Sequence, residues 1–183
     1  MFRNDLGARF SVLNTRIPEY PTALPTLKHV TIYTDGACLG NPGPGGYGVV
    51  LLHGEKRKEL SAGYRRTTNN RMEIMAAIAG LAELNYRCEV KIFTDSQYLR
   101  NSIMEGWAAR WRANGWMRNK KEAAVNPDLW EKLLNLCARH DVTFEWVRGH
   151  AGDPENERCD ELSVAAAKGK DLYIDEEYER SSS

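Results

Sequence analysis

Long apolar runs are missing from this sequence. No stretch approaches the ~20 residues that a membrane-spanning helix needs, so that class is set aside. The N-terminus lacks the apolar core of a secretory signal. Arg3, Arg9 and Arg16 hint at an organelle leader, but Asp5 and Glu19 break the pattern, and an extended arm fits better. Paired cysteines are missing too. Cys38, Cys88, Cys137 and Cys159 form no CxxC motif and are irregularly spaced. That argues against structural zinc and for reduced thiols in a cytoplasmic protein. Bulk charge is absent: 25 Lys and Arg offset 25 Asp and Glu. Net charge therefore gives no reason to expect a nucleic-acid partner.

What is present is the composition of an ordinary globular domain, 42% hydrophobic and 27% charged over 183 residues, enough to bury a core. Charge is segregated along the chain. Between Arg110 and Lys121 lie five basic residues and no acid, whereas Asp171 to Ser183 carries five acids and one Arg. Residues 1–27 contain Pro18, Pro21 and Pro25 and show no sustained period, so an arm is expected there. A main domain over 28–168 and a mobile acidic tail over 169–183 follow.

Within the domain, Val30 to Asp35 alternates like a strand. Gly36 to Gly46 holds five glycines and two prolines and reads as a loop. Strands over 47–52 and 58–64 follow, with a hairpin turn near Gly54. Thr67 to Asn70 is a helix start, followed by Met72, Met75, Ala76, Ile78, Ala79 and Ala82 at helical spacing. A strand over 90–94, a helix from about Ser96, a helix from Pro127, a strand over 142–147 and a helix after Asp153-Pro154 complete the order. This pattern predicts an α/β fold, a mixed sheet covered by helices.

Two of these strands end alike. Val30-Thr31-Ile32-Tyr33-Thr34-Asp35 and Val90-Lys91-Ile92-Phe93-Thr94-Asp95 share the form V-x-I-aromatic-T-D. Period two puts each Asp on the face of its aromatic. If the strands are parallel neighbours, the two carboxylates lie side by side at strand ends, where such sheets place ligands. A single Asp there also serves as a turn former or helix cap. Two close carboxylates repel unless one is protonated or a cation intervenes. Glu73 and Asp160 are further acids bordering apolar helix stripes. Each also has an ordinary reading, Glu73 as a first-turn acid favoured by the helix dipole and Asp160 as a solvated helix residue. His150, in Gly149-His150-Ala151-Gly152, is either plain surface or a proton-transfer group.

Taken together, TDGACLGNPGPGGYG (34–48), TTNNRMEIMAAIAGL (67–81), FTDSQYL (93–99), GW (115–116), NPDLW (126–130) and WVRGHAGDPENERCDELSVAAA (146–167) resemble the type 1 ribonuclease H family, and its bacterial members closely. The resemblance covers about residues 28–167. It implies a five-stranded mixed sheet, three antiparallel strands plus parallel ones, with the Asp35 and Asp95 strands adjacent. It implies an endonuclease that hydrolyses the RNA strand of RNA–DNA hybrids, leaving 5′-phosphate and 3′-hydroxyl ends. By resemblance, Asp35, Glu73, Asp95 and Asp160 hold two Mg2+ ions, with Mn2+ able to substitute, and His150 assists proton transfer or product release. Many bacterial members carry a second histidine where this chain has Asp153, which leaves the metal and pH behaviour of that loop open.

The same resemblance puts Gly36, Cys38, Asn41, Asn70 and Gln97 along the hybrid's minor groove, where the 2′-hydroxyl distinguishes RNA. Thr68 and Asn69 would hold the DNA backbone. Trp107, Trp111 and Trp116 would pack the base of a basic protrusion whose Arg110, Arg112, Arg118, Lys120 and Lys121 contact phosphates. Read alone, the Asn pair is a cap and the basic segment a solvated helix. A monomer without an obligate protein partner is expected. The rivals are a non-catalytic hybrid-binding module and a transposase- or integrase-like nuclease of the same fold. All four acids are present, against the first; no extra DNA-binding domain is visible, against the second.

Overall fold

The computed structural model describes residues 27–181. Apart from Leu27, the arm expected over residues 1–27 lies outside them. Five strands, β1 (Lys28–Cys38), β2 (Gly43–His53), β3 (Lys56–Thr67), β4 (Cys88–Thr94) and β5 (Asp141–Trp146), form one sheet in the order β3-β2-β1-β4-β5. β1, β2 and β3 pair antiparallel; β1 with β4 and β4 with β5 pair parallel. This is the mixed sheet expected. The β1–β4 register aligns Val30 with Val90, Ile32 with Ile92 and Thr34 with Thr94, so the matched strand sequences pair residue for residue. Tyr33 and Phe93 stack on one face at 4.8 Å between ring centroids.

The helices are α1 (Asn69–Ala82), α2 (Gln97–Met104), α3 (Trp107–Ala113), α4 (Pro127–Cys137), α5 (Pro154–Ala167) and α6 (Glu176–Ser181). Thr68 caps α1 by accepting the Arg71 N–H, and Asp153 caps α5 by accepting from Glu155 and Asn156. One face of the sheet offers Ile32, Val49, Val90 and Ile92 to α1 and α4, whose Ile74, Leu81, Leu129, Trp130 and Leu133 are buried with them. α5 covers the opposite face.

The expected loop over 36–46 is largely strand. β1 runs on to Cys38 and β2 starts at Gly43, leaving only residues 39–42 as connection. Its glycines serve packing more than turning. A Cβ on Gly48 would sit 2.1 Å from the Cys159 carbonyl oxygen of α5, and one on Gly36 would sit 2.4 Å from the Glu73 nitrogen of α1. Side chains there would hold both helices off the sheet. Asp35 is accordingly not at the end of β1, but just past the last β1–β4 pair.

The C-terminal segment also departs from expectation. It is docked rather than mobile: Tyr173 bridges Tyr64 of β3, Glu179 takes two bonds from Arg65 at 2.7 and 2.6 Å, and Asp175 is 3% exposed. The cause is Arg71, a buried guanidinium on α1. It donates to Asp175 at 2.6 and 2.8 Å and to Asp128 at 3.0 and 2.8 Å. A buried cation requires such partners, and the acidic composition of the tail concealed that one acid was committed to it.

Candidate active site

Four elements bring the four expected carboxylates into one open cleft. Asp35 comes from β1, Glu73 from the second turn of α1, Asp95 from the residue just after β4 and Asp160 from α5. Gly36, Cys38, Asn69 and His150 line the same cleft. The parallel ladder makes Asp35 and Asp95 neighbours, close enough that each carboxyl acts on the other's ionisation. Asp35 Oδ1 also accepts the Gly36 N–H at 2.7 Å. Glu73 is held at both oxygens, by Asn69 Nδ2 at 2.8 Å and by the Ser96 hydroxyl. The close approach of α5 at Gly46 and Gly48 delivers Asp160.

Burial, and then the Asp95 carboxylate beside it, push the Asp35 carboxyl up to about 8. Burial likewise raises Glu73 to about 7, although Ser96 hydrogen-bonds its ionised form. Burial raises Asp95 as well, while the nearby His150 pulls it down. The physical content is burial first, with concentrated negative charge adding to it. Among the described residues, no three His, Cys, Asp or Glu side chains are grouped closely enough to hold a metal ion as they stand. An all-oxygen set that is open on one side suits a hard divalent cation, which takes few carboxylates and fills its shell with water and phosphate oxygens. Asp35, Glu73, Asp95 and Asp160 are the residues that would hold it.

His150 is exposed, with a left-handed backbone (φ 53°), in the loop between β5 and α5. Asn41 lies in the β1–β2 connection, and its Oδ1 accepts the Asn69 N–H at 3.2 Å. Thr68 is the α1 cap, while Asn70 and Gln97 are exposed in the first turns of α1 and α2. Cys38 donates its thiol to the Thr67 carbonyl at 3.4 Å, and burial raises its pKa, so it is no ready nucleophile.

The basic segment forms its own concavity, lined by Tyr98, Trp107, Trp111 and Arg118, separate from the carboxylates. Trp111 meets Trp130 edge-on at 6.1 Å, and Trp116 packs against the core. Arg110 donates to the Glu105 carbonyl at 2.8 Å, and Arg112 lies 3.7 Å from Glu131. Arg118, Lys120 and Lys121 are exposed.

Two residues at the cleft were not singled out from sequence. Ser96 was visible only as a helix start. Gly149 was visible only as loop, yet a Cβ on it would sit 2.5 Å from Asp95 Oδ2. Both contacts are long-range, and no local signal announces them.

Comparison with known proteins agrees with this geometry. The model of the RNase H family matches residues 27–168. Ribonuclease H of Desulforamulus reducens is 67% identical over 149 residues, covering 81% of this chain and 94% of that protein. Ribonuclease H of Syntrophus aciditrophicus is 64% identical, covering 92% and 97%. The crystal structure of LC9-RNase H1, described as a type 1 RNase H with the type 2 active-site motif, superposes with a TM-score of 0.70 at 33% identity over 80% of this chain and 74% of that one. LC11-RNase H1, solved in complex with an RNA/DNA hybrid, gives 0.58 at 27% identity, covering 75% and 96%. With sheet order, paired strand segments and sequence all in agreement, this chain belongs to the type 1 ribonuclease H family.

Proposed function

We infer that this chain is an endoribonuclease that hydrolyses the RNA strand of RNA–DNA hybrids, with Mg2+ as its cation and Mn2+ as a substitute. The observation that carries the reading is the convergence of four carboxylates from four elements on one cleft. Family membership supports a metal-dependent nuclease. When bound, a pair of divalent cations supplies water activation and charge neutralisation at the scissile phosphate and leaving oxygen.

The chain's own groups do the rest. Asp35 and Asp95 set the centre of the site, with Glu73 and Asp160 on either side. The bonds from Asn69 and Ser96 fix the Glu73 carboxylate before substrate arrives. His150, on an exposed loop at the cleft, accepts or releases a proton at its imidazole. Gly36, Cys38, Asn41, Asn70 and Gln97 follow the minor groove, and Thr68 and Asn69 receive DNA phosphate at the start of α1. Trp107, Trp111 and Trp116 support the basic segment, from which Arg110, Arg112, Arg118, Lys120 and Lys121 meet further phosphates.

Residues 28–168 form the catalytic domain, preceded by residues 1–27 and followed by an acidic segment over 169–183. The protein acts as a monomer in the cytoplasm without an obligate protein partner. No described helix is long and apolar enough to cross a membrane.

The test is cleavage of an end-labelled hybrid with Mg2+, beside duplex DNA, duplex RNA and single strands, with Asp35→Asn and chelator controls. Cutting of the hybrid's RNA strand alone, lost in both controls, is expected. Folded protein that binds hybrid without cutting it would overturn the enzyme reading in favour of a binding module. Cutting of duplex DNA would favour a transposase-like nuclease instead.

A further inference from the structure

Ser96 precedes α2 as its cap residue. A serine hydroxyl can accept twice but has a single hydrogen to donate. Here the oxygen accepts the Leu99 N–H at 3.2 Å, which is the capping bond. The hydrogen goes elsewhere, to Oε2 of Glu73. The residue is 6% exposed, and its own N–H donates to Thr94 Oγ1 at 3.1 Å, so its position is fixed. The second Glu73 oxygen accepts from Asn69 Nδ2 at 2.8 Å. Asn69 is tied in turn to Asn41 through its backbone N–H. Two donors on different elements therefore grip the two oxygens of one carboxylate. Capping requires only an acceptor, which Asp or Asn would supply as well and Thr somewhat less well. Donation to Glu73 is a second role that the cap does not explain.

We propose that Ser96 is a positioning residue: its hydroxyl orients the Glu73 carboxylate toward the cation of the cleft. The proposal rests on Glu73 being a metal-holding carboxylate. An ionised carboxylate has about four acceptor positions. One protein donor on each oxygen leaves a lone pair on each for the cation. Without the hydroxyl, the carboxylate is anchored through Asn69 alone and can rotate away. Partners that orient a metal's ligands commonly change metal affinity by roughly 10–100-fold.

Four variants separate orientation from capping. Ser96→Ala and Ser96→Gly both remove the donor, but glycine caps a helix almost as well as serine and alanine does not. Ser96→Thr keeps the hydroxyl, and Glu73→Gln tests the carboxylate itself. Mn2+ binding to substrate-free protein is measured by calorimetry, the half-saturating Mg2+ by hybrid cleavage, and stability by urea unfolding. Ser96→Ala and Ser96→Gly are expected to weaken Mn2+ binding and raise the half-saturating Mg2+ alike, by roughly tenfold, although the alanine variant is the less stable. Ser96→Thr is expected to behave as wild type. A metal effect that follows stability, with Ser96→Gly near wild type, overturns the proposal. So does unchanged metal binding in both donor-less variants while Glu73→Gln loses it, and that outcome leaves the site reading standing. Unchanged metal binding and cleavage in Glu73→Gln overturns the site reading, and this proposal with it.

Discussion

Replacing Asp175 by Ala isolates the contribution of the C-terminal segment. The Asp175 side chain is 2% exposed and that of Arg71 3%, so their bond is made away from water. The substitution removes two charge-assisted bonds to Arg71, at 2.6 and 2.8 Å, and the Thr67 hydroxyl bond at 2.8 Å. Breaking a buried ion pair from one side costs about 3–5 kcal/mol. Arg71 keeps its two bonds to Asp128 and one to Asn126 at 3.3 Å, and water can enter the vacated space. The expected loss therefore falls near the low end, about 3 kcal/mol. The assay is urea unfolding at neutral pH, in a cycle with Arg71→Met. Because the two residues meet directly, the double variant should lose much less than the sum of the singles. A loss under about 1 kcal/mol, or full additivity, would refute a committed buried pair. Truncation after Lys170 should cost at least as much, since Tyr173 and the Arg65 partner Glu179 go with it.

Three further outcomes follow from the site. The Asp35 carboxyl ionises near 8 in the fold against 3.8 ordinarily, so without metal the folded state holds the extra proton, and stability falls as pH rises between those values. Metal-free Asp35→Asn should thus match wild type near pH ~4 and become progressively the more stable as pH rises toward about 8, with Mg2+ narrowing the gap; thermal unfolding against pH measures this. Gly48→Ala drives a methyl into the Cys159 carbonyl oxygen at 2.1 Å. It should cost about 1–3 kcal/mol and, by displacing Asp160, reduce cleavage more than hybrid binding. Changing Arg118, Lys120 and Lys121 to Gln should weaken hybrid binding without regard to sequence. It should also flatten the salt dependence, by just under one unit of log–log slope for each phosphate left without its cation; titrations at several salt concentrations would detect it.

The matched V-x-I-aromatic-T-D segments made the centre of the fold legible, because period two and parallel pairing leave little freedom in where the two motif-ending carboxylates fall. Thr68 and Asp153 announced α1 and α5 through capping chemistry that acts over three residues. Glu73 and Asp160 were harder. Each looked like an ordinary helix acid until the resemblance singled it out, since a helical period marks a face without saying what that face meets.

Local sequence could determine the matched strand segments, the helix starts and the acids available, because alternation, capping and side-chain chemistry act over a few residues. It could not determine that the glycines of 36–46 belong to paired strands, because their purpose is the approach of α1 and α5 from far along the chain. It could not assign Asp175 to Arg71, 104 residues away, when composition alone made that segment look solvated. Nor could it give Ser96 its second hydrogen bond, to a carboxylate 23 residues earlier. Those three decisions belong to the tertiary structure, because close approach, buried charge and shared hydrogens exist only once distant segments exclude water together.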